Sequence, residues 1–191
     1  MEREILLTGI GGQGVQLAAQ VLARGAAIEG RKVMLFGVYS GVMRGGNSDS
    51  TVVVADGPVQ APPLVSSAWS AIVLHSKFWE PLAPKLQPGG VCVVNSSLFE
   101  GELDRDAYRV FDVPATEMAA DLGNPMVASM VMAGAYAGLT GLVGLDALVE
   151  GMGQSVPPYR RQHVEGNERA IRAGHDGVDR LAAPAWEVVP A

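Results

Sequence analysis

The sequence predicts an α/β fold, a three-layer α/β/α sandwich around a mixed but mainly parallel sheet. Two observations carry this: the first third alternates apolar runs with a stretch of helical period, and strand signals then crowd the middle while helical signals fill the last third. With 191 residues, 48% of them hydrophobic, the chain can bury a sizeable core. Residues 1–181 are expected to form one domain, and the Pro- and Ala-rich residues 182–191 an extended tail, frayed or laid against a partner.

Ile5 to Thr8 is an apolar run stopped by Gly9, which reads as a strand. After it, Val15, Ala18, Ala19, Leu22 and Ala26 fall on one helical face, with Gln16, Gln20 and Arg24 opposite. Gly30 ends that helix, and Lys32 to Phe36 reads as the next strand, so the chain opens with a β-α-β unit whose crossover implies parallel strands. A loop with four glycines covers Gly37 to Asn47. Strands are expected at Ser50–Ala55, Trp69–Leu74, Val91–Val94 and Tyr108–Val113, with a short helix over Phe78–Leu86 closed by Pro88-Gly-Gly90. Helices then follow at Ala115–Asp121, Met126–Thr140, Leu145–Met152 and Tyr159–Ala173.

Charge and composition exclude several functions. Fourteen Lys and Arg stand against twenty Asp and Glu, and the basic residues from Arg160 to Arg180 alternate with Glu165, Glu168, Asp176 and Asp179. That is a solvated helix face, not a nucleic-acid footprint. Iron–sulfur clusters and structural zinc need several ligands, whereas Cys92 is the one cysteine and sits in an apolar strand, where a packed thiol is expected. His75, His163 and His175 are too scattered for a metal site. The N-terminus enters a strand without a secretory signal, which implies a cytoplasmic protein. Residues Leu122 to Leu145 carry no charge, but Gly123-Asn-Pro125, Gly141 and Gly144 interrupt them, so a buried helix is expected there and no membrane span. The Gly134-Ala-Tyr-Ala-Gly138 spacing suits close packing of that helix on a sheet or a subunit.

Gly9, Gly11, Gly12, Gln13 and Gly14 lie where the first strand gives way to a helix, so backbone N–H groups and the helix dipole converge there on one place. The natural occupant is phosphate, and the β-α-β context makes this a Rossmann-like start. A nicotinamide site also requires an acid at the end of the second strand, and Leu35 to Tyr39 offers none; Glu29 falls earlier, at the helix end. The alternative is that the glycines only make a tight turn and let the helix pack closely. Tyr39, Ser40, Arg44, Gly45 and Gly46 follow the second strand and form a second candidate segment, in which Arg44 could pair with a phosphate or carboxylate or close an intersubunit ion pair. No nucleophile–base arrangement and no catalytic carboxylate pair is found, so no catalytic residue is assigned.

Three motifs in order resemble the γ subunit, or domain III, of the 2-oxoacid:ferredoxin oxidoreductases: Thr8 to Val15, Tyr39 through Arg44-Gly45-Gly46, and Leu122-Gly-Asn-Pro-Met-Val-Ala-Ser129 continuing to Leu142. The resemblance covers nearly the whole chain. It implies a subunit of a multisubunit enzyme that oxidatively decarboxylates a 2-oxoacid (pyruvate, 2-oxoglutarate, branched-chain or aryl) to acyl-CoA. Thiamine diphosphate, magnesium and the 4Fe-4S clusters would belong to partner subunits of α, β and ferredoxin-like δ type, with ferredoxin or another acceptor receiving the electrons. This chain would hold no cofactor alone and would share a coenzyme A site built on the two glycine segments. One departure stands out: the family loop often reads Tyr-Gly-Pro-Glu before its arginine, whereas Gly41 and Val42 stand at the Pro and Glu positions here. Two rival readings are a stand-alone Rossmann-type nucleotide-binding oxidoreductase and a purely structural assembly subunit.

Overall fold

The computed structural model describes residues 1–39, 45–61 and 64–187, the Tyr39 side chain excepted. Six strands form one sheet: β1 (Glu2–Ile10), β2 (Lys32–Tyr39), β3 (Asn47–Ala55), β4 (Ala68–Val73), β5 (Leu86–Asn95) and β6 (Arg109–Val113), in the order β2-β3-β1-β4-β5-β6. The pairs β1–β4, β4–β5 and β5–β6 are parallel, and β3 is antiparallel to both β1 and β2. The sheet is therefore mixed and mainly parallel, as the sequence suggests. The expected β-α-β crossover is present, since β1 and β2 point the same way. The two do not pair, however, because β3 is inserted between them. Nothing local in the sequence reveals that insertion, which arises when the chain reverses after β2 and fills the gap the crossover leaves.

The two faces of the sheet are covered unequally. Ile5, Leu7, Val52, Val54, Ile72, Val91 and Val93 face a core shared with all five α-helices. The alternate residues Leu6, Val53, Ala71, Val73, Cys92 and Val94 face a smaller cluster under loops and short 3-10 turns, with Trp79 and Leu86 as its inserted side chains. The period of two along each strand thus sorts one apolar run into two cores.

The helices are α1 (Val15–Ile28), α2 (Ala115–Asp121), α3 (Ala128–Thr140), α4 (Leu145–Ser155) and α5 (Val164–Asp176). Helix α1 contacts β1, β2 and β3, α4 packs on α1, and α5 packs on α3. Helix α3 is buried almost all round, which explains its charge-free sequence without a membrane. Among the described residues no helix is long and apolar enough to cross one.

Glycines set the helix contacts. A Cβ on Gly134 would sit 2.0 Å from the Ile171 carbonyl oxygen, one on Gly174 2.0 Å from that of Val131, and one on Gly138 2.8 Å from that of His175. Gly134 meets Ile171 and Gly138, one turn on, meets His175, one turn on, so α3 and α5 run parallel, backbone against backbone. The Gly134 and Gly138 spacing therefore packs α3 on α5, where a sheet or a subunit was expected. Gly25 of α1 meets Gly151 of α4 in the same way, but there Val21 also contacts Gly151 while Gly25 contacts Leu148, which makes that pair antiparallel.

Two expectations need correction. The segment Phe78–Leu86 is not a helix: only the 3-10 turns Ser76–Phe78 and Ala83–Lys85 form, because Pro81 and Pro84 remove backbone donors that a helix would use. Pro88-Gly-Gly90 does not close a helix but lies inside β5, where Gly89 takes a positive φ and its N–H donates to the Ala107 carbonyl at 2.7 Å. The last residues described pack on the same body: the N–H groups of Ala183 and Ala185 donate to the carbonyls of Leu139 and Thr140, and the Trp186 indole donates to that of Leu142.

Two measurements check this packing. Gly134→Ala overpacks the α3–α5 contact and should cost about 1–3 kcal/mol or more in denaturant unfolding; an unchanged midpoint would contradict the close approach. Burial pushes the Cys92 thiol up from its ordinary value of 9.0 to about 12. Its folded-state value is raised, so the associated stability is fully present below pH 9 and is lost as the pH rises through the alkaline range. The thiol should accordingly react with a disulfide reagent at pH 8 only at the rate of unfolding.

Candidate functional site

The loop from Gly9 to Gly14 leaves the carboxyl end of β1 and is built by its own backbone. Gln13 N–H donates to the Ile10 carbonyl at 3.0 Å, and the Gln13 Oε1 accepts from the Ile10 N–H at 2.7 Å, so the Gln13 oxygen shapes the turn. Gly9 is demanded by packing, because a Cβ would meet Val15 and Leu74 at 2.9 and 3.1 Å. Gly14 has φ 85° and forms the N-cap of α1, and no side chain caps the helix. The first-turn N–H groups of α1 therefore keep their donors free of side-chain partners, with no acidic residue beside them.

The two glycine segments meet as the sequence suggests. Gly11 N–H donates to the Gly46 carbonyl at 2.8 Å, and Gly45 N–H to that of Gly11 at 3.4 Å. Beneath this crossing, Gln16 Nε2 donates to the Asp49 carbonyl at 2.8 Å and its Oε1 accepts from Ser50 at 2.8 Å. Gly37 makes room for that side chain, since a Cβ there would lie 2.2 Å from Gln16 Oε1. Thr8 and Asn47 both donate to the Asp49 carboxylate at 2.7 Å. A polar clamp thus ties α1, β1 and β3 under the loop. The remaining candidates, Ser40, Arg44 and the Tyr39 side chain, lie outside the described residues.

A cavity of about 500 Å³ opens beside Gly12 and Gly14, within the range of small-molecule sites. The N-termini of three helices border it: α1 at Gly14, α3 at Ser129 and α5 at His163. Helix α1 carries no side-chain cap, whereas the 3-10 turns Pro125–Val127 and Pro158–His163 run directly into α3 and α5, and the Asn124 side chain caps the first of them by accepting from the Met126 N–H at 3.1 Å. The parallel α3–α5 pair brings two of these ends together, and the antiparallel α1–α4 pair brings Ser155 and Val156, at the end of α4, to the same place. Leu17, Met130 and Val156 give it apolar walls, and Arg160 and His163 stand at its exposed rim.

Ser129 and Asn167 line this cavity at 2% and 7% exposure. The sequence reasoning missed both, along with Arg160 and His163. Asn167 did leave a signal, since it falls on the same helical face as Ala170, Ile171 and Gly174, a core position where an amide is unexpected. The acid considered for a ribose, Glu29, is engaged elsewhere: it accepts from the Gly144 N–H at 2.8 Å, at the start of α4. Among the described residues no group of three or more His, Cys, Asp and Glu could hold a metal ion.

The arrangement can bind an anionic, partly apolar ligand, with phosphate oxygens at the helix ends and an apolar portion inside. Gly14→Ala should destabilise the chain, because of its positive φ and because a Cβ would lie 2.4 Å from Ser129 Oγ. In a Ser129→Gly background the same change should cost less, and equal costs in both backgrounds by denaturant unfolding would contradict the contact.

The family model described as pyruvate ferredoxin/flavodoxin oxidoreductase matches residues 4–177. The chain is similar to the 2-oxoglutarate synthase subunit KorC of Methanocaldococcus jannaschii, 31% identical over 82% of this chain and 85% of that protein. It is also similar to the pyruvate synthase subunit PorC of Methanothermobacter thermautotrophicus, 30% identical over 93% and 97%. Among solved structures, the γ subunit of a keto/oxoacid ferredoxin oxidoreductase from Geobacter sulfurreducens superposes with a TM-score of 0.79 at 30% identity, covering 92% of this chain and 95% of that one. A 2-oxoglutarate:ferredoxin oxidoreductase from Magnetococcus marinus, with 2-oxoglutarate, coenzyme A and succinyl-CoA bound, shares the fold at a TM-score of 0.81 and 17% identity, over 94% of this chain and 32% of that one.

Proposed function

This chain belongs to the pyruvate ferredoxin/flavodoxin oxidoreductase family as a γ-type subunit, and from that premise we propose that it contributes a coenzyme A site and a docking edge to a 2-oxoacid:acceptor oxidoreductase. The complex would oxidatively decarboxylate a 2-oxoacid on thiamine diphosphate held by partner subunits, pass two electrons to iron–sulfur clusters there, and transfer the acyl group to coenzyme A. The α, β and ferredoxin-like δ subunits are the partners in this reading, with ferredoxin or another carrier as acceptor, in the cytoplasm. Residues 1–181 act as one domain.

The observation that carries the coenzyme A half is the cavity onto which the uncapped N-terminus of α1 opens, between the first turns of α3 and α5. Coenzyme A is strongly anionic and carries apolar parts, which suits both the N–H donors and the apolar walls. Gly9, Gly11, Gly12, Gln13 and Gly14 hold the loop open to a phosphate, and Gly45 and Gly46 pin the second segment against it. Arg44, between Tyr39-Ser40 and Gly45, would supply a bidentate cation to the same phosphates. The chain's part is to bind and orient the thiol carrier; bond-making belongs to the partner that holds the acyl group.

The assembly half rests on β2. Among the described residues it is the edge strand of the sheet, and Leu35, Phe36 and Val38 are exposed along it. An apolar open edge of this kind invites aggregation unless a partner covers it.

Two outcomes are expected. Arg44→Ala in the whole complex should raise KM for coenzyme A about tenfold or more, in line with one lost charged hydrogen bond; unchanged affinity and an unchanged acyl-transfer step would remove Arg44 from the site. Phe36→Asp should release this chain from the complex in size-exclusion chromatography while its circular dichroism stays native. A fully assembled complex would show that β2 is not the docking edge.

A further inference from the structure

We infer that β2 pairs with the β2 of a second copy of this chain, antiparallel across a two-fold axis, so that two sheets join into one. This rests on the reading of β2 as a docking edge and names its occupant.

The strand is open on both faces at once. Leu35 is 39% exposed, Phe36 36% and Val38 46%, so exposure does not alternate as it does on a strand with one solvated face. Edge strands are ordinarily guarded by charge, proline or a bulge, whereas β2 has no proline and carries its one charge, Lys32, at its first residue. The helix above it is equally bare. Gln16 donates to the Asp49 carbonyl and fills the space over Gly37, which marks the side of α1 turned toward β2. Gln20, Ala23 and Ala27 follow on that stripe, and Arg24 is the one charged residue between Val15 and Ile28. Helix α5, one residue shorter, carries Glu165, Glu168, Arg169, Arg172 and Asp176.

The strip is complementary to itself. A two-fold axis perpendicular to the sheet keeps every side chain on its own face, so each residue must oppose one of the same parity. With Phe36 on the axis, Phe36 opposes Phe36, Met34 opposes Val38, and the bulky Leu35 opposes the bare backbone of Gly37. Centring on Leu35 instead would set the Lys32 charge against Val38. Helix α1 contacts both β2 and β3. With strands about 4.8 Å apart, the axis places the second α1 about 10 Å from the first, the spacing of packed helices. The eight-residue edge and the helix flank above it make a strip about 27 Å long and about 20 Å tall. That is on the order of 600 Å² on each copy, the low end of specific interfaces.

The test is disulfide trapping in the assembled complex, with Phe36→Cys oxidised by copper–phenanthroline in air. Cys92 is buried and does not compete. A covalent dimer of this chain is expected from Phe36→Cys and none from Val38→Cys, whose two copies the register holds about 13 Å apart, beyond disulfide reach. Complexes built from a mixture of Met34→Cys and Val38→Cys chains should cross-link the two variants to each other. Absence of a dimer from Phe36→Cys overturns the pairing, and a maleimide reagent then separates the causes. A thiol at position 36 shielded from maleimide means that another subunit covers β2, so the docking edge stands without the second copy. A thiol open to maleimide, in a complex that Phe36→Asp leaves fully assembled, removes the docking edge as well. A dimer formed by the chain alone but absent from the complex also overturns the inference.

Discussion

The parallel backbone-to-backbone contact of α3 with α5 is the constraint on which the site depends. Gly134 and Gly174 let each helix touch the other's carbonyl groups, with no room for even a methyl group between them. Two parallel helices at that distance bring their N-termini to the same end, and there Ser129 and Asn167 face one cavity. Helix α1 reaches the same end because Gly14 allows Ser129 to approach, while the antiparallel α4, held by Gly25 and Gly151, brings its last turn there. Glycine therefore acts twice in this chain. In the loops it supplies positive φ, and in the helices it supplies contact.

The fold class was legible because hydrophobic period is a local signal. The strands β4 and β6 and the helix α2 follow from it nearly residue by residue, whereas β1, β2, β3 and β5 extend beyond their apolar runs and α5 begins later than its spacing suggests. Sheet order was not legible. The insertion of β3 between β1 and β2 depends on which edge of β1 stays open after the crossover, and no local pattern encodes that choice. The helix expected at Phe78–Leu86 does not form because Pro81 and Pro84 leave room only for the 3-10 turns Ser76–Phe78 and Ala83–Lys85. The buried positions Trp79 and Leu86 account for the spacing without any helix.

The site was half legible. Glycines between a strand and a helix mark a place for an anion, and the crossing of Gly11 with Gly45 and Gly46 bears out the expectation that the two segments lie together. The rest of the cavity comes from residues far along the chain, and on α5 the interleaved charges drew attention to the solvent face. Those charges do pair across the surface, as Arg172 with Glu168 and Arg180 with Asp176. The informative residue was on the other face, where Asn167 stands among Ala170, Ile171 and Gly174. Membership in the family adds the chemistry that an open cavity lacks by itself.

The most direct test of the account is an experimental structure of the assembled complex with coenzyme A bound. The account predicts phosphate density at the N-terminal turn of α1 beside Gly12 and Gly14, with the ligand continuing into the cavity between α3 and α5. Coenzyme A bound wholly within partner subunits, with this cavity filled by a partner's side chain, would contradict it.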